Sequence, residues 1–504
     1  MSPIETSSTP RPAAVAGFVE SPAREASPGG AGAAPLYERV GDRILAGIRD
    51  GTLVPGQRIP SVRRASALFD VSVTTVLEAY RRLEDRGVLE ARPQSGYYVR
   101  RAPDAPPAPA RTATNESAAE LTVSDLVLRV IRDWRSPGLV ANFGAATPSE
   151  ALLPASRLDR LLGRAFRRTP PMSLGYDSPA GLEALRVQVA RRALDVGMNL
   201  APDEIVTTCG AQNALRLCLE AVTRPGDTVA IETPTYFGLL EVLESLHLRA
   251  LEVATFPEEG ICLDALEEAM RRHRLAACVL CPTFGNPLGH SMPVEKRAKL
   301  AELLERLGVP LVEDDVYGDI AFDAQRPPPV KAFDASGNVL LCSSFSKTLA
   351  PGLRVGWTAP GRHQRAVEGL KFNSMLAVPT PTQMAVAMLL EEGGYERHLR
   401  RLRRACAEQV ARTSDAVSRA LPAGTRVSRP RGGCVLWVEL PAQYDALRLY
   451  ERARASGIAI APGPIFSATG RYQSCFRLSC ASPWTPVLER ALHRLGALVA
   501  EQVQ

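Results

Sequence analysis

The chain is poor in lysine. Of its 60 lysine and arginine residues in 504, only Lys296, Lys299, Lys331, Lys347 and Lys371 are lysine. Cysteine is also thin: ten residues, irregularly spaced, exclude a disulfide framework. The one CxxC, Cys278 to Cys281, lies in the apolar run AACVLC without a second pair or a histidine at ligand spacing. It reads as small core residues, and no metal is expected. No apolar stretch is long enough to cross a bilayer, which excludes a membrane partner. Residues 1–34 are rich in Pro, Ala, Ser and Gly but lack the apolar segment of a secretory signal. These absences point to a cytoplasmic protein with a disordered N-terminal tail.

The length predicts two or three domains. A hydrophobic content of 45% and a charged content of 23% are those of a globular chain. The net charge of +6 permits an anionic partner without requiring one, so the placement of the arginines has to decide.

Residues 35–101 are dense in pattern. Leu36, Val40, Ile44, Leu45 and Ile48 recur at helical spacing before Gly51. Ser61 is placed to cap a second helix, and Ser72 a third that carries Val76, Leu77, Tyr80 and Leu83 and ends at Gly87. VLEAR, a PQSG turn and YYVRR then predict a hairpin. Three helices and a hairpin are the order of a winged helix-turn-helix. Residues 102–120, rich in Pro and Ala, predict an extended, semi-rigid linker. From 121 to 504 buried-type runs such as EIVTT, DTVAIE, LAACVL, PLVED and NVLLC alternate with amphipathic stretches, which predicts an α/β domain with a mostly parallel sheet.

Lys347 follows the last of those runs, in VLLCSSFSKTLAPGLRVGW. The bland reading is a surface lysine. The chemical one puts it at the carboxyl end of a strand, where α/β proteins bind ligands. Ser344, Ser346 and Arg354 nearby suit an anion bearing a phosphate and an aldehyde, the latter held by the lysine amine as a Schiff base. In IVTTCGAQNAL the N–H groups of Gly210, Ala211 and Gln212 open a helix, either as a tight turn or as a phosphate cradle. Asp314 ends the run PLVED, where a carboxylate needs a partner such as a pyridinium, or water. Asn286 lies in the Pro- and Gly-bounded loop CPTFGNPLG.

Taken in order, these motifs resemble the fold-type I pyridoxal 5'-phosphate (PLP) aminotransferases over residues 121–504. The resemblance implies an α/β transferase fold with a small C-terminal α+β subdomain, and PLP as cofactor. It implies Lys347 as the Schiff-base lysine and Ser344, Arg354 and the Gly210-Ala211-Gln212 turn as phosphate ligands. Asp314 would pair with the pyridine nitrogen, and Asn286 and Tyr317 with the ring hydroxyl. Tyr236, in ETPTYFG, is similar to the aromatic stacked on the ring. Arg477, in CFRLSCA, is similar to the arginine that holds a substrate carboxylate. Tyr176, in SLGYDSPAG, is similar to a tyrosine that reaches the neighbouring subunit's phosphate, which implies a homodimer. Around Asp314 the chain reads EDDVYGDI where the MocR-type regulators, which join such a domain to a DNA-binding one, commonly have EDDYDSEF.

Residues 35–101 resemble the GntR-type winged helix. A basic helix is usually a solvated face. Here Arg63, Arg64, Arg81, Arg82 and Arg92 fall on the second and third helices and the wing, where contacts to double-stranded operator DNA occur. Ser72, Thr74 and Thr75 open the third helix, where base edges are met, and Gly96 at the wing tip lets backbone approach a minor groove. The two halves together resemble the MocR plan. That implies a transcription regulator responding to PLP or to its adduct with an amino-acid or amine effector; the alternative is an active aminotransferase with an accessory DNA-binding domain.

Overall fold

The computed structural model describes residues 35–503 apart from 86, 93–94, 101–105, 122–123, 169–174 and 324. The tail expected over 1–34 lies outside the described residues, as does part of the PQSG turn. The chain divides into two compact units, Met1–Asp104 and Ala105–Gln504.

The first unit contains α1 (Leu36–Arg49), α2 (Val62–Phe69), α3 (Val73–Asp85), β1 (Leu89–Arg92) and β2 (Gly96–Val99). Ser61 Oγ accepts the Arg64 N–H at 3.4 Å, and Ser72 Oγ accepts the Thr75 N–H at 3.1 Å. Each satisfies an amide that the helix itself leaves unpaired, a contribution of about 1 kcal/mol. Asp70, in a left-handed conformation with φ 49°, stops α2 and turns the chain into α3. Val40, Ile44, Ala65, Val76, Tyr80, Leu83, Leu89 and Val99 form the core, and the Tyr80 hydroxyl donates to Pro60 O at 2.8 Å. Leu36 stays half exposed at the start of α1. β1 and β2 pair antiparallel from Leu89↔Val99 to Arg92↔Gly96, forming the expected wing.

In the second unit a seven-stranded sheet is built from β3 (Val206–Thr208), β4 (Thr228–Glu232), β5 (Arg249–Val253), β6 (Leu275–Leu280), β7 (Leu311–Asp314), β8 (Val339–Ser344) and β9 (Gly356–Ala359). Its order is β3-β9-β8-β7-β6-β4-β5. β4 to β8 pair parallel, while β9 runs antiparallel to both β8 and β3. The strands are buried on both faces, as their unbroken Val, Ile, Leu and Ala content requires. A four-stranded sheet follows, of which β10 (Val435–Glu439) and β11 (Cys475–Ser479) pair antiparallel. The long helix Gly394–Ala420 precedes this C-terminal layer, and Pro486–Ala500 closes it.

The linker differs from expectation. Residues 106–119 run along the second unit rather than standing free. Asn115 and Ala119 donate their N–H groups to Glu252 O and Ala250 O at 2.9 and 2.8 Å, on the edge of β5. Val427 N–H donates to Pro107 O at 3.0 Å, and Ala110 N–H to Glu439 Oε2 at 2.9 Å. The cause is the sheet edge, whose unpaired backbone groups take up an extended neighbour. Buried Glu252 adds a demand for donors, met by Asn115 Nδ2, Ser467 Oγ and Ala468 N–H, each at 2.8 Å.

Among the described residues no helix is long and apolar enough to cross a membrane, and no cluster of His, Cys, Asp or Glu is placed to hold a metal. Cys278 is buried within β6.

Candidate cofactor site

Parallel strands deliver their carboxyl ends to one edge of the sheet, and most of the site residues stand at that edge. β7 ends at Asp314; Lys347 comes three residues after the end of β8. β6 runs out through Cys281 to Asn286, and β4 through Thr233 to Tyr236. β3 leads to Gly210, which precedes the helix Ala211–Val222. Because β9 is antiparallel, its start returns to this same edge and brings Arg354 with it. Arg354 holds a left-handed conformation with φ 53° and donates from Nη2 to Cys209 O at 2.7 Å.

One cavity is lined by Ala211, Gln212, Tyr236, Asn286, Asp314, Tyr317, Ser344, Lys347 and Arg354. Gly210 forms its shoulder: a Cβ there would come within 2.6 Å of the Arg354 guanidinium, and one at Gly356 within 2.6 Å of Gly210 itself. Arg477, in β11, is buried one contact behind the wall. Its Nη1 donates to Asn286 Oδ1 at 3.2 Å, its Nη2 to Gly144 O, and its guanidinium lies 5.4 Å from the Phe466 ring centroid. Tyr176 is 85% exposed and outside the cavity. Tyr317 is buried, with its ring centroid 5.8 Å from Lys347 Nζ.

Ser346, read from the sequence beside Ser344, is in the wall, and Cys281, Val316 and Leu215, which sequence reasoning did not place there, complete it. Sequence reasoning also passed over Gly238, where a Cβ would lie 2.5 Å from the Tyr236 ring. A glycine two residues beyond the key aromatic was the available signal. A wider cavity lies beside Ser343, Phe345 and Trp357. Its Arg192 and Arg326 are already paired with Asp315, Asp319 and Glu396, so it offers less unsatisfied chemistry.

The electrostatics of the smaller cavity ask for a ligand. Burial, reinforced by neighbouring Asp315, pushes the Asp314 carboxyl up to about 7, and its Oδ1 is buried without a hydrogen-bond partner. Burial holds Lys347 below the usual lysine range; its Nζ donates to Ala146 O at 2.7 Å. Burial, together with the nearby Asp314 charge, raises Tyr236 to about 12. An unpaired buried acid facing a slot, an amine of lowered basicity and a glycine-lined helix start with an arginine fit PLP: a ring nitrogen to protonate, an aldehyde and a phosphate.

On the first unit Arg63, Arg64, Ser72, Thr74, Arg81, Arg82, Arg92 and Gly96 are exposed and Thr75 is half-buried. Arg82 pairs with Glu78 at 2.7 Å and lies 4.0 Å over the Tyr37 ring. Arg92 pairs with Glu90 and lies 4.3 Å over the Tyr98 ring. Ser72 Oγ lies 2.8 Å from both Thr74 Oγ1 and Thr75 Oγ1, which ties the start of α3 together.

Fold and site together define a PLP aminotransferase-type domain joined to a winged-helix reader. Residues 141–495 match the family described as aminotransferase class I and II, and residues 36–99 match the bacterial regulatory proteins of the gntR family. Two regulators of Escherichia coli (strain K12) are similar along almost their whole length. The uncharacterized HTH-type transcriptional regulator YdcR is 40% identical over 93% of this chain and 99% of its own. The uncharacterized HTH-type transcriptional regulator YjiR is 37% identical over 92% and 98%. Among solved structures, LysN, an alpha-aminoadipate aminotransferase from Thermus thermophilus complexed with N-(5'-phosphopyridoxyl)-L-leucine, is 30% identical. The likeness covers 76% of this chain and 99% of that one, with a TM-score of 0.69. The chain belongs to the aminotransferase class I and II family, in the form that carries a GntR helix-turn-helix, which is consistent with the MocR plan. It is a PLP-dependent, DNA-binding transcription regulator.

Proposed function

We propose that the protein works in the cytoplasm as a homodimer that binds double-stranded operator DNA and changes that binding when PLP, or an amino-acid or amine effector brought to it, occupies the second unit. The observation that carries this reading is the convergence of Lys347, Asp314 and Arg354 on one cavity.

PLP supplies an aldehyde that condenses with amines and a ring that withdraws electrons. The chain's own residues do the rest. Lys347 offers the amine. Asp314 keeps a proton on the pyridine nitrogen, and that partner in turn makes its buried charge tolerable. Ser344, Arg354 and the amides opening the helix at Ala211 and Gln212 hold the phosphate. Tyr236 covers one face of the ring, and Asn286 and Tyr317 serve the ring hydroxyl. Arg477, already aligned by Asn286 and Gly144, receives the effector's carboxylate in a bidentate pair. Exposed Tyr176 serves the phosphate of a second subunit. Arg63, Arg64, Arg81, Arg82 and Arg92 meet DNA phosphates, Ser72, Thr74 and Thr75 meet base edges, and Gly96 brings the wing backbone close to the duplex.

A second reading is favoured by the same set of residues: with Lys347, Asp314 and Arg477 all in place, the second unit is equipped for aminotransferase chemistry. A gel shift with the DNA upstream of the gene, with and without PLP and a panel of amino compounds, separates the two. An operator affinity that responds to neither, alongside brisk steady transamination, gives the protein to the enzyme reading.

A further inference from the structure

Glu232, the last residue of β4, is 2% exposed, and a carboxylate so placed is costly unless paired. Its Oε2 accepts the Cys281 N–H at 2.8 Å, and its Oε1 lies 2.9 Å from Nε2 of buried His290, a close electrostatic contact not aligned as a hydrogen bond. Burial works to raise this carboxyl, but the adjacent imidazole and the Cys281 N–H outweigh it and hold it below the ordinary range. The imidazole is wedged between two glycines. A Cβ at Gly285 would come within 2.3 Å of its ring, and one at Gly260, where φ is +74°, within 2.8 Å. Both positions are thereby restricted to glycine.

Neither Glu232 nor His290 lines the cofactor cavity, yet each stands four residues from a side chain that does. Glu232 precedes Tyr236, and His290 follows Asn286; Cys281, bonded to Glu232, is itself in the wall. The pair is therefore a clasp between the loop that presents the ring-covering aromatic and the loop that presents the amide opposite. Apolar residues of similar volume hold two loops together at lower desolvation cost, whereas a carboxylate set against an imidazole fixes one register.

We propose that Glu232 and His290 are positioning residues for the cofactor: their buried pair locks the 233–236 loop to the 281–290 loop and so sets the spacing between Tyr236 and Asn286. This inference rests on the PLP reading of the cavity.

The test is a titration of PLP into the full-length apo protein. It is followed by the cofactor absorption band and by induced circular dichroism in that band, with thermal melting of each apo variant alongside. His290→Leu is expected to weaken PLP by about ten- to hundred-fold, on the scale of losing a residue that orients a metal ligand, and to alter the dichroic band. His290→Gln, whose amide nitrogen can stand beside Glu232 Oε1 where Nε2 does, is expected to recover most of the affinity. An unchanged affinity and dichroic band in His290→Leu, whatever its melting temperature, overturns the proposal by making the pair a staple of the fold alone. Should His290→Leu not fold, Glu232→Gln, which keeps the side chain's shape and an acceptor for Cys281, carries the same expectation and the same refutation. A wild-type protein that binds no PLP brings down the cofactor reading and this inference together, whereas equal binding by wild type and variants removes the inference only.

Discussion

Lys347 Nζ donates a hydrogen bond to the carbonyl oxygen of Ala146 at 2.7 Å, across 201 positions of the chain. A backbone carbonyl, unlike a carboxylate, orients an amine without adding a full negative charge to hold its proton. Burial lowers the basicity of this amine further, so a larger share of it is nucleophilic at neutral pH than for an exposed lysine.

The purified protein is accordingly expected to be yellow, and borohydride to fix a pyridoxyl group on Lys347. Lys347→Ala is expected to lose the fixed label while still binding operator DNA, because the first unit contains no lysine. Peptide mapping decides: a label on Lys296, Lys299, Lys331 or Lys371 refutes the assignment.

Asp314→Asn is expected to divide stability from cofactor binding. With its folded value raised to about 7, wild-type Asp314 holds a proton in the folded state that the unfolded chain has already given up above about pH 4. Its share of apo stability is full below the unfolded value and is lost as pH rises toward 7. Asparagine mimics the protonated acid, so the apo variant is expected to melt above wild type at pH 8, by a margin that vanishes toward pH 4. It is also expected to bind PLP more weakly. Melting curves at several pH values read the first effect, and a variant less stable than wild type at pH 8 contradicts it.

Gly238→Ala is expected to act through Tyr236. The added methyl would stand 2.5 Å from the tyrosine ring, which must swing away. Several-fold weaker PLP binding is expected, measured by spectral titration, with far-ultraviolet dichroism unchanged. Wild-type affinity would mean that the ring position does not matter to the cofactor.

The dimer is expected to persist at micromolar concentration in sedimentation, and its operator to contain paired half-sites. Tyr176→Phe is expected to leave the sedimentation coefficient alone and to weaken PLP, since only the hydroxyl is lost. A monomer with cofactor bound rules the arrangement out.

Charge and sequence reading on DNA are expected to separate. Arg81→Ala removes an exposed cation and is expected to lower the slope of log affinity against log salt by about 0.9 for a lost phosphate contact. Arg92→Ala is expected to weaken binding across sequences, and both it and Arg82→Ala to lower the slope by less than Arg81→Ala, because Glu90 and Tyr98, and Glu78 and Tyr37, already engage those guanidiniums. Thr74→Ala is expected to change which operator is preferred at nearly constant slope. Gel shifts at several salt concentrations on matched and scrambled DNA measure both. A slope for Arg81→Ala equal to that of wild type removes this residue from the interface.

Much of this molecule was legible along the chain because its signals are local. Ser61 and Ser72 announce helix starts through a bond to an amide three residues away. The apolar runs ending at Asp314 and Ser344 announce buried strands because both faces of a parallel strand are covered. Lys347, Asp314, Asn286 and Arg354 stood out because each follows or precedes such a run. What the sequence could not decide is what depends on residues hundreds of positions apart. Only the reversed direction of β9 brings Arg354 back to the edge that Lys347 leaves. Only the edge of β5, with Glu252 buried beneath it, takes residues 106–119 out of the linker. Only the folded chain sets His290 against Glu232, or Arg477 against Asn286 and Gly144. A buried charge is legible as a liability from sequence, but its partner is chosen by whichever strand ends the sheet brings together.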